Sequence, residues 1–306
     1  MSDSFVPLET VEQLLTAARR EGLELTASPG ALDAMGLDFL VCHARDAGGV
    51  PWVVRTPRRA DVIDGAAREA KVLALVRRTF PAAIPDWRVH APDVIAYPRI
   101  AGTPAITLDT GEPVWNVIDP TASSPVFRDD LAAALVALQA IGPDDATAAG
   151  VRVQSIADGR AEIAEALVVA KGALAIPDAL LARWQRWLDD DTTWPAHLAM
   201  SHGDLHPGHL LLDAQAHLVG VLDWTEGRVA DPSIDFAMLL RCFGQPALED
   251  IVARFERQGG RTWPGLVAHT IERVSVFPAL GAAWAIKAGN TTILEYLEAE
   301  LAAVPV

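Results

Sequence analysis

The stretch SHGDLHPGHLLLDAQAHLVGVLDW, residues 201–224, restricts the folding choices of this chain more than any other. Its first thirteen positions hold three histidines, His202, His206 and His209, and the aspartates Asp204 and Asp213. Two short apolar runs, HLLLD and HLVGVLDW, follow on either side of AQA. They read as a β-hairpin that carries Asp223 to the end of its second strand, nineteen residues after Asp204. The histidines are spaced four and three apart, as metal ligands on a helix would be. Gly203, Pro207 and Gly208 break any helix through them, no cysteine stands nearby, and the glutamate of a metalloprotease pattern is missing. A zinc site is therefore the weaker reading, and a loop of histidines making local hydrogen bonds is the plain alternative.

The rest of the chain frames that segment. ETVEQLLTAARREG has apolar residues at helical spacing, with Thr10 as N-cap and Gly22 as stop. FLVCHA and VPWVVR flank RDAGG as a hairpin, and a long helix over DVIDGAAREAKVLALVRRTF closes at Pro81 and Pro85. VHAPDVIAYPRI gives one or two short strands. Residues 101–125 are rich in Pro, Thr, Gly and Asp without a period, which reads as a linker. Helical patterns dominate beyond it, the last over GLVAHTIERVSVFPALGAAWAIKAG unless Pro278 breaks it. The expected architecture is α+β: an N-terminal lobe over 1–100 with a sheet and a helix, and a mainly helical C-terminal lobe over 101–306.

With 306 residues and 51% hydrophobic content, the chain can bury roughly three quarters of its unfolded surface. A net charge of -15 disfavours nucleic acid and anionic membranes as partners and suits a cationic small molecule. Cys42 and Cys242 lie far apart in apolar runs, which fits unpaired thiols in a reducing compartment. The first residues lack the pattern of a secretory leader, and no stretch reaches the roughly 18 apolar residues of a membrane span. A cytoplasmic location and a monomer are the expectations.

Phosphoryl transfer needs a carboxylate to orient the attacking hydroxyl, a second to hold magnesium, and an anchored cation on the nucleotide phosphates. The catalytic loop of protein kinases has the form H-R-D-x-x-x-x-N, and HGDLHPGH supplies His202, Asp204 and, at the Asn position, His209. Asp223 then falls where such enzymes place their metal-binding aspartate. Arg55 interrupts an apolar strand in WVVRTP, and Glu69 on the following helix is its expected partner. The phosphate-covering loop is the poorest match, with Gly36 alone in AMGLDFL.

On these motifs the chain resembles the aminoglycoside/macrolide phosphotransferase superfamily, whose fold is that of protein kinases. It is most similar to the macrolide 2'-phosphotransferases, through GLDF, VVRTPRRADV, PDWRV, AYP, RWQRWLDDDTTWP, DWTEGRVADPSIDFA and GGRTWPGL. The resemblance implies transfer of the γ-phosphate of GTP, or of ATP, to the desosamine 2'-hydroxyl of a macrolide antibiotic. Asp204 is then the catalytic residue, and Asp223 with His209 holds Mg2+, His209 standing where kinases have Asn. Gly36, Arg55, Glu69, Tyr97, Pro98 and Ile100 are expected at the nucleotide, the last three as an interlobe hinge. His202 is expected to brace its loop, and Asp231 and Asp235 to tie the catalytic and metal loops together. Phe277 and Trp284, seven apart, are candidate macrolide lining, with ordinary core as the plain alternative. The rivals are the same chemistry on an aminoglycoside or a small amine alcohol such as choline or homoserine, and an inactive nucleotide-binding module.

Overall fold

Strand alternation decides the N-terminal part of the computed structural model, which describes residues 5–34, 36–109, 111–121 and 124–305. Strands β1 (Thr26–Asp33), β2 (Phe39–Arg45), β3 (Pro51–Pro57), β4 (Val89–His90) and β5 (Ile95–Pro98) form one antiparallel sheet in the order β1-β2-β3-β5-β4. Helix α1 (Val11–Arg20) opens on the expected Thr10 cap, whose side chain accepts from the Gln13 amide while Gln13 reaches back. It covers one face with Leu14 and Ala18 against Cys42 and Val54. Helix α2 (Ala60–Val76) lies on the other, where Ala66 meets Val53, Ile95 and Tyr97. Period 2 therefore turns Arg55, two residues after Val53, toward α2. Asp46 closes the β2–β3 hairpin by accepting from the Val50 amide and the Trp52 indole.

The segment expected to be a structureless linker is built. β6 (Thr103–Pro104) pairs with β10 (Leu210–Leu212), which pairs in turn with β11 (Leu218–Val221). A further hairpin joins β7 (Ile106–Asp109) to β8 (Glu112–Trp115). Two-residue strands and a short hairpin leave too little period to read. Residues 110, 122 and 123 of that segment, and 1–4 at the N-terminus, lie outside the described residues.

Helices α3 (Pro125–Gln139), α4 (Pro143–Ala149), α5 (Ile156–Lys171) and α6 (Asp178–Asp189) follow. The short strand pair β9 (Ala199–Ser201) and β12 (Arg228–Ala230) encloses the β10–β11 hairpin in sequence. Helices α7 (Ser233–Phe243), α8 (Gln245–Arg257), α9 (Leu266–Ser275), α10 (Phe277–Lys287) and α11 (Leu294–Ala302) complete the chain. The expected long C-terminal helix is two: α9 ends before Pro278, which sits in the first turn of α10, where a missing N–H costs nothing.

One hydrophobic core spans both parts, with Val72 and Val76 of α2 packed among Leu131, Leu135, Leu205, Val221, Trp224, Phe236 and Ile251. A second holds Trp184, Trp187 and Trp194 against Ala279, Ala282 and Leu297. The indoles there are satisfied: Trp184 donates to Ser275 Oγ at 2.8 Å and Trp187 to His269 Nδ1 at 3.0 Å. Both cysteines are free thiols, and among the described residues no helix is long and apolar enough to cross a membrane.

Candidate active site

Strand β9 delivers the loop 202–209 and β11 delivers Asp223, so the hairpin seen in the sequence brings the two aspartates to one place. The loop is held from below by Asp235 in the first turn of α7, whose two oxygens accept from the amides of His202 and Gly203, each at 2.9 Å. Burial raises the Asp235 pKa to about 6, against the lowering pull of those two donors. Gly203 is a required glycine. Its φ is +90°, and a Cβ would lie 2.4 Å from the Glu226 carbonyl oxygen.

His202 braces both loops, as expected. Its buried ring donates from Nε2 to the Leu222 carbonyl at 2.8 Å and accepts at Nδ1 from the Asp204 amide at 3.2 Å. Burial, with the nearby His209, drives its pKa down to about 3, so it is neutral. His209 points Nδ1 at the Asp204 carbonyl, 3.1 Å away, and therefore donates from that nitrogen. The lone pair of Nε2 then faces Asp223 Oδ2 at 3.8 Å. With a neutral ring the two atoms could both serve as ligands to a cation; with a protonated ring the same contact is an ion pair.

The three-histidine zinc arrangement is not assembled, because both nitrogens of His202 are engaged. Asp204, His206 and His209 do cluster, with one donor atom from each within 4.8 Å. Nδ1 of His206 accepts from the Gly208 amide, so the neutral ring carries its proton on Nε2, 3.9 Å from Asp204 Oδ2. A protonated nitrogen there is a hydrogen-bond donor and not a ligand. Asp223 itself has φ +57°, a left-handed conformation that a residue with a Cβ adopts at a cost of about 1–3 kcal/mol. Burial raises its pKa, but neighbouring positive charge, Arg55 included, and the Thr225 hydrogen bond outweigh it and keep the carboxyl ionised.

The expected Arg55–Glu69 pair forms at 2.6 Å and is buried, which excludes an ordinary surface pair. Phe39 and Trp87 flank the Arg55 guanidinium at 4.3 and 4.7 Å from their ring centres, and Tyr97 lies at 5.9 Å. Glu69 Oε1 and Arg55 Nε are buried without a hydrogen-bond partner. Thr225, absent from the sequence expectations, ties the parts together: its hydroxyl donates to Glu69 Oε2 and its amide to Asp223 Oδ1, both at 3.3 Å. A lone threonine after a motif carries no periodic or compositional signal.

Other expected residues fall out unevenly. Gly36 lies exposed in the β1–β2 connection, the topological place of a phosphate-covering loop. Tyr97 and Pro98 close β5, and Ile100 packs over Gly220 of β11, so the chain crosses between the two parts here. The Arg99 amide is already taken by the Pro51 carbonyl. Contrary to the sequence expectation, Asp231 does not join the 202–209 loop to the loop of Asp223. It accepts from Arg273 and faces His269 Nε2 at 2.7 Å, pinning α9 instead. Phe277 is half-buried and lines a cavity of about 400 Å³ with Leu240, Arg241, Val274, Pro278 and Val304. Trp284 is 51% exposed, so it is not the core residue its spacing suggests, and it does not line that cavity.

This sheet order, with the helix-borne glutamate on the strand arginine and two aspartates flanking a hairpin, is the kinase-like arrangement. A model of the phosphotransferase enzyme family matches residues 31–269, and the chain belongs to that family. The solved macrolide 2'-phosphotransferase type I is 35% identical and superimposes with a TM-score of 0.85, covering 99% of both chains. The macrolide 2'-phosphotransferase MphH from Brachybacterium faecium, solved as apoenzyme, is also 35% identical. Its TM-score is 0.84, with 95% of this chain and 97% of that one covered. The uncharacterized protein YcbJ of Bacillus subtilis (strain 168) is 38% identical over 272 residues, 88% of this chain and 89% of its own.

Proposed function

We propose that the protein is a macrolide 2'-phosphotransferase, moving the γ-phosphate of GTP, or of ATP, to the desosamine 2'-hydroxyl. The reading rests above all on 35% identity across nearly the full length of a macrolide 2'-phosphotransferase, combined with Asp204 and Asp223 poised across the hairpin. In this reading the lobes are 1–100 and 101–306, with the nucleotide between them.

Asp204, half-exposed at the mouth of its loop, accepts the hydrogen bond of the acceptor hydroxyl, aligns it for in-line attack and takes up its proton. The donor set fits a divalent cation: Asp223 supplies an ionised carboxylate and His209 a bare Nε2. Mg2+ held there would neutralise charge on the nucleotide phosphates. Arg55, locked by Glu69, adds fixed positive charge for the phosphates, and Gly36 in the β1–β2 connection is the position for a covering loop. Backbone groups of Tyr97, Pro98 and Ile100 edge the place for the purine. The 400 Å³ cavity beside Phe277 offers the apolar wall a macrolide ring needs, with Trp284 on the exposed rim of the same helix. Its carboxylate, Glu300, is already paired with Arg241, which leaves little to attract a polyamine such as an aminoglycoside.

The test is direct. The purified protein is incubated with magnesium, GTP or ATP, and erythromycin, azithromycin, kanamycin or choline, and products are weighed by mass spectrometry. One added phosphate on the macrolides is the expected result; phosphate on kanamycin or choline alone overturns the acceptor. Asp204→Ala should abolish turnover while nucleotide affinity changes little. Near-normal turnover by that variant removes Asp204 from the chemistry.

A further inference from the structure

Behind the site, on the far side of Thr225, lies a cavity of about 750 Å³. Three elements wall it: α2 with Arg68, Lys71 and Val72; the end of α4 and the residues after it, from Thr147 to Val153; and the loop Thr225–Arg228. The chain carries 40 acidic side chains against 25 Lys and Arg, yet four cations line this cavity, Arg68, Lys71, Arg152 and Arg228, against one carboxylate, Glu226. Arg152 and Arg228 have partners in Glu162 and Glu226. Among the described residues, Arg68 and Lys71 have neither an ion pair nor a side-chain hydrogen bond. Burial, partly offset by Glu226, and the neighbouring Arg152 push the Arg228 pKa down, as expected of a cation short of counter-charge.

The free cations converge on the cavity from α2. Lys71 Nζ lies over Gly150, 3.5 Å from where a Cβ would stand, an ordinary contact distance. The Arg68 guanidinium and the Thr225 methyl both lie 3.8 Å from the Cβ position of Gly65. A concave surface with cations on opposing walls focuses positive potential in a molecule that is otherwise strongly negative.

We propose that this cavity binds a compact phosphate-type anion carrying two or more negative charges, with Arg68 and Lys71 as its principal partners. Bound there, the anion bridges α2 to the loop that follows Asp223. Thr225 lies on the wall and reaches both Glu69 and Asp223, so fixing it fixes the Arg55–Glu69 pair relative to the metal loop. Binding is independent of the phosphotransferase reading; only the consequence for turnover rests on that reading.

Inorganic pyrophosphate is the probe, titrated in EDTA against chloride at matched ionic strength, with binding followed by calorimetry on the full chain. Wild type and Asp223→Asn should bind alike, and Arg68→Ala/Lys71→Ala should bind about tenfold more weakly or worse. Both substituted side chains of the double variant are exposed, so its fold should be intact by circular dichroism. Undiminished binding by the double variant, or binding that tightens in Asp223→Asn, overturns the site and assigns the anion to the nucleotide cleft, where without metal the Asp223 carboxylate repels it. Hydrogen exchange reads the bridge: pyrophosphate should slow exchange over α2 and residues 223–227 in wild type and leave the double variant unchanged. Binding without that protection overturns the bridge.

Discussion

Gly203→Ala separates two costs that a glycine can conceal. Gly203 and Gly22 have nearly the same left-handed φ, +90° and +84°, but a Cβ at Gly22 meets nothing within 4 Å. Both alanine variants incur the left-handed penalty of about 1–2 kcal/mol. Only at Gly203 must backbone also move, because 2.4 Å to the Glu226 carbonyl falls about 0.9 Å short of an ordinary carbon–oxygen approach of about 3.3 Å. That carbonyl is itself fixed by Arg228 Nη1 at 2.8 Å. The loop carrying Asp204 and the loop after Asp223 must therefore part, and a misplacement near 1 Å costs roughly 100-fold in rate. Steady-state turnover in the proposed macrolide reaction and thermal unfolding read the two effects. Gly22→Ala should lower Tm by about 2–4 °C and keep kcat within about twofold; Gly203→Ala should lower Tm by at least about twice as much and kcat about 100-fold. A Gly203→Ala enzyme with wild-type kcat, or a Gly22→Ala enzyme equally damaged, would refute the argument.

Two further outcomes follow from buried charge. The Asp235 carboxyl, raised to about 6 from 3.8, binds its proton more tightly folded than unfolded. Its contribution is full below pH 3.8 and is lost as pH rises through 6. The stability of wild type relative to Asp235→Asn should thus fall by on the order of 3 kcal/mol across that window in urea titrations, and a rise would contradict it. Glu69→Ala leaves Arg55 buried without its counter-ion and should cost about 3–5 kcal/mol by denaturant unfolding, with weakened nucleotide binding; Glu69→Gln should cost less, and an unimpaired Glu69→Ala protein would show the pair to be ornamental.

The residues gathered at the candidate site were more legible in the sequence than the scaffold around them. Asp204, Asp223 and the Arg55–Glu69 pair stand out because a charge inside an apolar run, or two carboxylates about a hairpin, breaks a local pattern. β1 was missed because TASPGALD holds Pro29 and Gly30 and buries only Ala31, leaving no alternation. α4 and α11 are short, seven and nine residues, and open without a side-chain cap. Asp231 and Asp235, four apart in one motif, looked equivalent; the turn into α7 sends them to different partners, one to α9 and one to the catalytic loop. Trp284 shows the opposite limit, since helical spacing gives a face but not what lies opposite it.

Helix α7 has two occupations. Its first turn holds the His202 and Gly203 amides through Asp235, and its last turns place Leu240 and Arg241 on the wall of the apolar cavity. The facing wall, from Phe277, Val304 and their neighbours, has no such tie to the aspartates. Descendants of this chain that change acceptor should therefore accumulate their substitutions on α10 and α11, where selection can reshape the wall freely. On α7 every experiment in recognition is also an experiment on the reacting loop, and lineages should hold it fixed.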